Sequence, residues 1–187
     1  MKIIETALMA VSLCGATIAA EEADRTSATT NAVTFREPFT LKLTIDKDRY
    51  YEESYTNGIP YVFANDVYLF CGESFGINAK IAKEEIVEIS FQRDTKKADV
   101  EFKFSQEKMD NGEVMTMLVI RNRLKNRLYV DALMTIPKKT GILKTSIVPI
   151  EPGLSNYESW PHPIIQLVLR NLRFEETTPN QRRHGTR

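Results

Sequence analysis

From Phe39 onward, apolar and polar residues alternate with a period of two. Phe39, Leu41, Leu43 and Ile45 are interleaved with Thr40, Lys42, Thr44 and Asp46, the pattern of a strand with one buried face. Val87, Ile89 and Phe91 alternate with Glu88, Ser90 and Gln92, and Val100, Phe102 and Phe104 with Glu101, Lys103 and Ser105. Leu128, Val130, Ala132, Met134 and Ile136 do the same against Tyr129, Asp131 and Thr135. Residues 61–71, 114–122, 143–150 and 163–174 are more uniformly apolar, as suits central strands or strands covered on both faces. In the last of these, Ile165, Leu167 and Leu169 share one parity while Leu172 and Phe174 share the other. A β-bulge or a change of neighbour is therefore expected near Arg170 and Asn171. An exposed edge this apolar would aggregate, so the run is expected inside a sheet, with 114–122 as its antiparallel neighbour.

Turn residues fall between the runs, at Asn57-Gly58, Asp110-Asn111-Gly112 and Lys139-Thr140-Gly141, where a positive φ is expected. Only residues 78–86, NAKIAKEEI, read as helical, and they supply about two turns at most. About eight short strands with at most one short helix indicate an all-β protein, an antiparallel β-sandwich. Immunoglobulin-like topology is the first reading and a jelly-roll-like sandwich the alternative.

The ends read differently. Lys2, an apolar stretch from Thr6 to Ile18 too short to span a membrane, and the small residues up to Ala20 mark residues 1–20 as a cleaved signal peptide. Cys14 follows Leu13 inside the apolar stretch, which does not suit a lipidated cysteine. Residues 21–36 are expected as a flexible lead-in and 37–176 as one sandwich domain. Residues 177–187 form a polar tail carrying Arg182, Arg183, His184 and Arg187. Cleavage leaves no transmembrane segment and Cys71 as the one cysteine, so the core has to hold the fold without an internal disulfide.

Lys and Arg total 25 and Asp and Glu 25, so no global field draws nucleic acid or an anionic membrane. The basic run Arg121, Arg123, Lys125 and Arg127 reads as a charged hairpin protecting a sheet edge, and no nucleic-acid partner is expected.

Gly72-Glu73-Ser74-Phe75-Gly76 has the G-x-S-x-G form of a hydrolase nucleophile elbow, and Ser74, Asp131 and His162 follow the chain order of that family's triad. The elbow needs a strand, a tight turn and a helix on a largely parallel sheet, whose crossovers this chain does not provide. Ser74 is therefore read as part of a glycine-flanked turn capping the short helix, and no catalytic residue is assigned. A metal site needs roughly four ligands within reach of each other. Cys71 and His162 alone make a poor start toward that number, and Asp46 and Asp48 lack the rest of a calcium loop, so neither metal nor cofactor is expected. Cys71 reads as a small buried apolar group. Glu52, Glu53, Glu73, Glu84, Glu85, Asp131 and Glu158 could supply a carboxylate pair, but spacing singles out none of them.

Two aromatic clusters remain as candidate binding sites. Tyr50, Tyr51 and Tyr55 lie among Glu52 and Glu53; they could stack on a sugar or anchor a protein, or half of them could pack inward. Tyr157, Glu158, Trp160 and His162 lie in a proline-flanked stretch, where Trp160 either plugs the core or forms an exposed platform. Tyr157, Glu158, Trp160, His162, Tyr51 and Tyr55 are the candidate contacts to a protein or glycan. The expected protein is an exported, soluble, non-catalytic binding or interaction module of the bacterial periplasm or cell exterior. The alternatives are a small hydrolase using Ser74 or a carboxylate pair, and a structural envelope protein.

Overall fold

Alternation becomes pairing throughout the described residues. The structure, a computed structural model, describes residues 33–110 and 112–174. In order, the strands are β1 (Phe39–Thr44), β2 (Tyr50–Tyr55), β3 (Val62–Phe63), β4 (Asp66–Phe70), β5 (Glu73–Ala82) and β6 (Glu85–Gln92). They continue with β7 (Val100–Lys108), β8 (Val114–Asn122), β9 (Leu128–Thr135), β10 (Leu143–Ser146), β11 (Ser155–Trp160) and β12 (Gln166–Phe174). A single 3-10 turn, Thr95–Lys97, separates β6 from β7 and is capped by the Asp94 side chain accepting from Lys96 N.

Two five-stranded antiparallel sheets, β10-β9-β12-β4-β3 and β11-β8-β7-β5-β6, pack against each other, and β1-β2 forms a separate ribbon. Phe75, Ile77, Val100, Phe102, Phe104, Leu118 and Ile120 of one sheet share a core with Val67, Leu69, Leu128, Val130, Leu167 and Leu169 of the other. Each such side chain, when fully buried, contributes roughly 1.5–3 kcal/mol, so this double layer dominates stability. The protein is an all-β sandwich.

β12 sits at the centre of its sheet, between β9 and β4, as its apolar run requires. Its register with β9 shifts between Arg170 and Arg173, and Asn171 takes a φ of 50°. That bulge turns Leu172 and Phe174 back to the core face. The expected pairing of β12 with 114–122 is not found: β8 lies in the opposite sheet, between β7 and β11. A tight hairpin joins β7 to β8, with Lys108 opposite Val114, and such a short loop costs far less entropy to close than a long-range pairing.

Two further expectations are corrected. Residues 78–86 form no helix; they end β5, turn, and begin β6. Lys83 and Glu84 take φ of 51° and 65°, the left-handed pair a two-residue hairpin needs, and Ala82 pairs with Glu85. The helix-favouring Ala, Lys and Glu are overruled by cross-strand pairs such as Ile77 with Phe91 and Ala79 with Ile89. Residues 61–71 are likewise not one strand but the β3-β4 hairpin, turning at Ala64 and Asn65 with φ of 50° and 63°. Gly112 and Gly141 take the expected positive φ, whereas Gly58 does not; there Phe35 Cβ lies 3.2 Å from where a glycine side chain would begin.

The β1-β2 ribbon folds over the outer side of β4. Leu41 and Leu43 form a second small core with Phe70, bordered by Phe39, Tyr51, Tyr55, Cys71 and Ile165. The Gln106 carboxamide accepts from Thr44 N at 2.8 Å and donates to Thr44 O at 2.9 Å, joining the ribbon to β7 as a neighbouring peptide would. Just before the ribbon, Arg36 N donates to Ile59 O at 2.9 Å and Tyr61 N to Thr34 O at 3.1 Å. The end of the expected lead-in, residues 34–36, thus belongs to the fold. The expected signal peptide, the rest of the lead-in up to residue 32, and the tail at 177–187 lie outside the described residues.

Side chains close both flanks of the sandwich. Asn65 donates to Val87 O at 3.2 Å and accepts from Ile89 N at 3.1 Å, clipping the β3-β4 turn to the free edge of β6. Trp160 Nε1 donates to Thr145 Oγ1 at 3.0 Å, tying β11 to β10. The basic run from Arg121 to Arg127 does not guard an edge, because it joins the interior strands β8 and β9 of the two sheets. Within it, Arg123 anchors the 3-10 turn through Thr95 O at 2.8 Å and Ala98 O at 3.1 Å, and pairs with Glu101 at 2.6 Å.

Candidate functional site

The G-x-S-x-G segment resolves residue by residue. Gly72, at φ 96°, makes the turn between β4 and β5, and its N–H donates to Phe104 O at 2.8 Å. Gly76 lets two chain segments touch: a Cβ there would lie 2.2 Å from Ala98 Cβ and 2.8 Å from Val100 O. Glu73 opens β5 and receives Arg36 in a bidentate pair, Nε to Oε1 at 2.5 Å and Nη2 to Oε2 at 2.8 Å. Phe70 N also donates to Glu73 Oε2 at 2.8 Å.

Arg36 is only 5 % exposed, and its remaining N–H groups reach Pro60 O at 2.6 Å, Tyr68 O at 2.5 Å and, more weakly, Ile59 O at 3.4 Å. All five guanidinium donors are thereby used. The guanidinium also lies 4.1 Å from the Tyr61 ring centroid and 5.1 Å from that of Phe70. This clasp ties the entering chain to β4 and β5. Ser74 takes no part in it: exposed on the outer face of β5, it stands opposite Lys103 within the strand, neither in a turn nor before a helix.

Its would-be partners lie elsewhere. Asp131 is exposed on the outer face of β9, in the other sheet, where it accepts from Asn171 at 2.8 Å and Arg173 at 3.1 Å. The Asn171 hydrogen bond, and then Arg173, hold its carboxyl below the ordinary range. His162 follows β11, with Nδ1 3.2 Å from Pro163 O. Ser74, Asp131 and His162 do not converge. Three of the other acids have partners of their own: Glu52 pairs with Lys42 at 3.3 Å, Glu53 accepts from the Tyr51 and Tyr55 hydroxyls, and Glu158 accepts from Val148 N at 2.8 Å and Asn156 at 2.7 Å. Glu84 and Glu85 sit exposed at the β5-β6 turn. Among the described residues, no three His, Cys, Asp or Glu side chains converge on a metal position.

The aromatic candidates separate by burial. Tyr51 and Tyr55 pack against the ribbon core; Tyr55 stacks on Phe39 at 4.9 Å, and burial with the nearby Glu53 pushes its phenol up to about 12. Tyr50 is the exposed member, with Lys42 Nζ 4.2 Å from its ring centroid. Trp160, 8 % exposed and part of the main core, is a plug. Tyr157 is 69 % exposed and stands across from Val119 on the outer face of β8 and β11. Met115, Met117 and Val119 line that face half-buried. Beyond it, His162 borders a groove of about 570 Å³ shared with Ile45, Met109, Met115, Pro161 and Pro163.

Cys71 lies half-buried between the two cores. Burial, with Glu73 adding to it, pushes its thiol up to about 12. Since the thiolate is the nucleophile, iodoacetamide should label the native protein slowly at pH 8, and its pH profile should stay flat until the chain unfolds. Fast stoichiometric alkylation of folded protein at pH 8 would overturn this placement.

Sequence reasoning missed the Arg36–Glu73 clasp. Glu73 was visible only as one acid among many, and Arg36 fell in a stretch without apolar periodicity. Compared with family models, with curated proteins and with solved structures, the chain matches none of them.

Proposed function

We propose that this protein is a non-catalytic binding module of the bacterial periplasm or cell exterior, with a protein as its partner. The observation that carries the reading is Tyr157, projecting 69 % exposed beside half-buried Val119, Met117 and Met115 on the outer sheet face. A rigid amphipathic ring beside adaptable thioethers is the composition of a protein-contact surface. Val119 and Met117 offer few of the hydrogen bonds that a sugar ring would require, so a protein is favoured over a glycan.

A photo-crosslinking residue at position 157, compared with one at exposed Lys139 in the native host, tests the reading. One discrete protein adduct is expected from position 157 alone, carrying a chain that begins near Glu21, and Val119→Asp should remove it. Equal adducts at both positions, or an adduct indifferent to Val119→Asp, would count against the surface. A bound chain that still begins at Met1 would count against export.

A further inference from the structure

We propose that the groove beside the β7-β8 hairpin binds a soft monovalent metal ion, Cu(I), through the thioethers of Met109 and Met115 and the imidazole of His162. The hairpin register creates the thioether pair. Glu107 stands opposite Met115 and Lys108 opposite Val114, while Met109 N donates to Glu113 O at 2.8 Å. Met109 and Met115 are therefore diagonal neighbours on one face of the hairpin, a relation in which residues lie roughly 7–8 Å apart and their Cβ atoms somewhat closer. Long, flexible thioether side chains converge readily across that distance.

His162 is brought to the same groove by the neighbouring strand. Trp160 pairs with Thr116, and Thr116 Oγ1 donates to His162 O at 2.7 Å. The prolines on either side restrict the backbone there. His162 Nδ1 lies 3.2 Å from Pro163 O, and as an N–H donor to that carbonyl it leaves the Nε2 lone pair free to ligate. A ring nitrogen donated to a backbone carbonyl is the usual support of a metal-binding histidine.

The donor set selects the ion. Thioethers favour Cu(I), whereas Ca²⁺ and Mg²⁺ need oxygen ligands and Zn²⁺ takes thiolate, imidazole or carboxylate. Of the two acids on the groove, Asp46 is committed to its own turn, accepting from Asp48 N at 3.1 Å and Arg49 N at 3.0 Å and pairing with the Arg49 guanidinium. Glu113 has a contact of its own. Lys47 also borders the groove, and its charge opposes a divalent ion more than a monovalent one. Met115 borders both this groove and the face at Tyr157, so the position-157 adduct is measured on the Met109→Leu/Met115→Leu pair as well: lost metal binding with the adduct retained separates the two sites.

The test uses the full chain carrying Cys14→Ser and Cys71→Ala, because either thiolate would outcompete a thioether. Cu(I) is titrated anaerobically against a chromogenic chelator, with Ag(I) as the air-stable probe for NMR. One equivalent should bind and shift the Met109 and Met115 ε-methyl signals together with the His162 ring. The Met109→Leu/Met115→Leu pair, near-isosteric and expected to keep the same unfolding midpoint, should weaken binding about 100-fold or more, and His162→Gln about 10-fold or more. No competition with the chelator, shifts confined to other methionines, or unchanged affinity in the Leu pair would each overturn the proposal.

Discussion

A chain that ends after His162 should fail to fold. β12 is hydrogen-bonded on both sides, to β9 and to β4, so its loss divides one sheet into two unconnected pairs of strands. Ile164, Leu167, Leu169, Leu172 and Phe174 are all buried, and they disappear from the core together. At roughly 1.5–3 kcal/mol each, they account for as much as the whole net stability of about 5–15 kcal/mol typical of a domain. Far-UV circular dichroism and urea unfolding are expected to show no cooperative transition in the shortened chain. Removal of residues 177–187 alone should leave the transition unchanged. A native-like transition in the chain ending at His162 would make β12 peripheral, against its central place in the sheet.

Arg36→Met should cost about 3–5 kcal/mol, although it exchanges one long side chain for another. Met reproduces much of the packing against Tyr61 and Phe70 but none of the five donors. The Glu73 carboxylate, whose side chain is 20 % exposed, loses its bidentate partner, and the carbonyls of Pro60 and Tyr68 lose theirs. Glu73→Gln should also destabilise, by leaving the buried guanidinium without its counter-charge. The Arg36→Met/Glu73→Gln pair should cost clearly less than the sum of the single changes, because the stranded charge is then absent. Urea midpoints of the four proteins measure this coupling. Strict additivity would mean that the two groups do not act as a unit.

How far the sequence could be read depended on how local each signal was. Period-two alternation placed β1, β6, β7 and β9 correctly, and the parity break in 163–174 located the bulge at Asn171. The turns at Ala64-Asn65 and Lys83-Glu84 were hidden because no glycine occupies their left-handed positions. The first hairpin consequently read as one strand and the second as a helix. The neighbour of β12 was misplaced because an apolar run records burial but not which strand lies beside it. At the candidate sites, the sequence singled out Tyr157, Trp160 and His162 without showing which way they face. Trp160 turns inward to Thr145, Tyr157 outward to solvent, and His162 borders a groove that two methionines of the β7-β8 hairpin also line.

The G-x-S-x-G segment is where a structural and a catalytic account divide most sharply. Gly72 and Gly76 meet steric needs and Glu73 holds Arg36, which leaves Ser74 exposed opposite Lys103. Fluorophosphonate labelling of the native protein, followed by intact-mass measurement, decides between the two. The wild type is expected to take up no more label than Ser74→Ala, with both unfolding at the same urea concentration within the small range usual for a surface change, about 0.5 kcal/mol. A stoichiometric adduct on the wild type that Ser74→Ala abolishes would contradict this reading and make Ser74 a nucleophile.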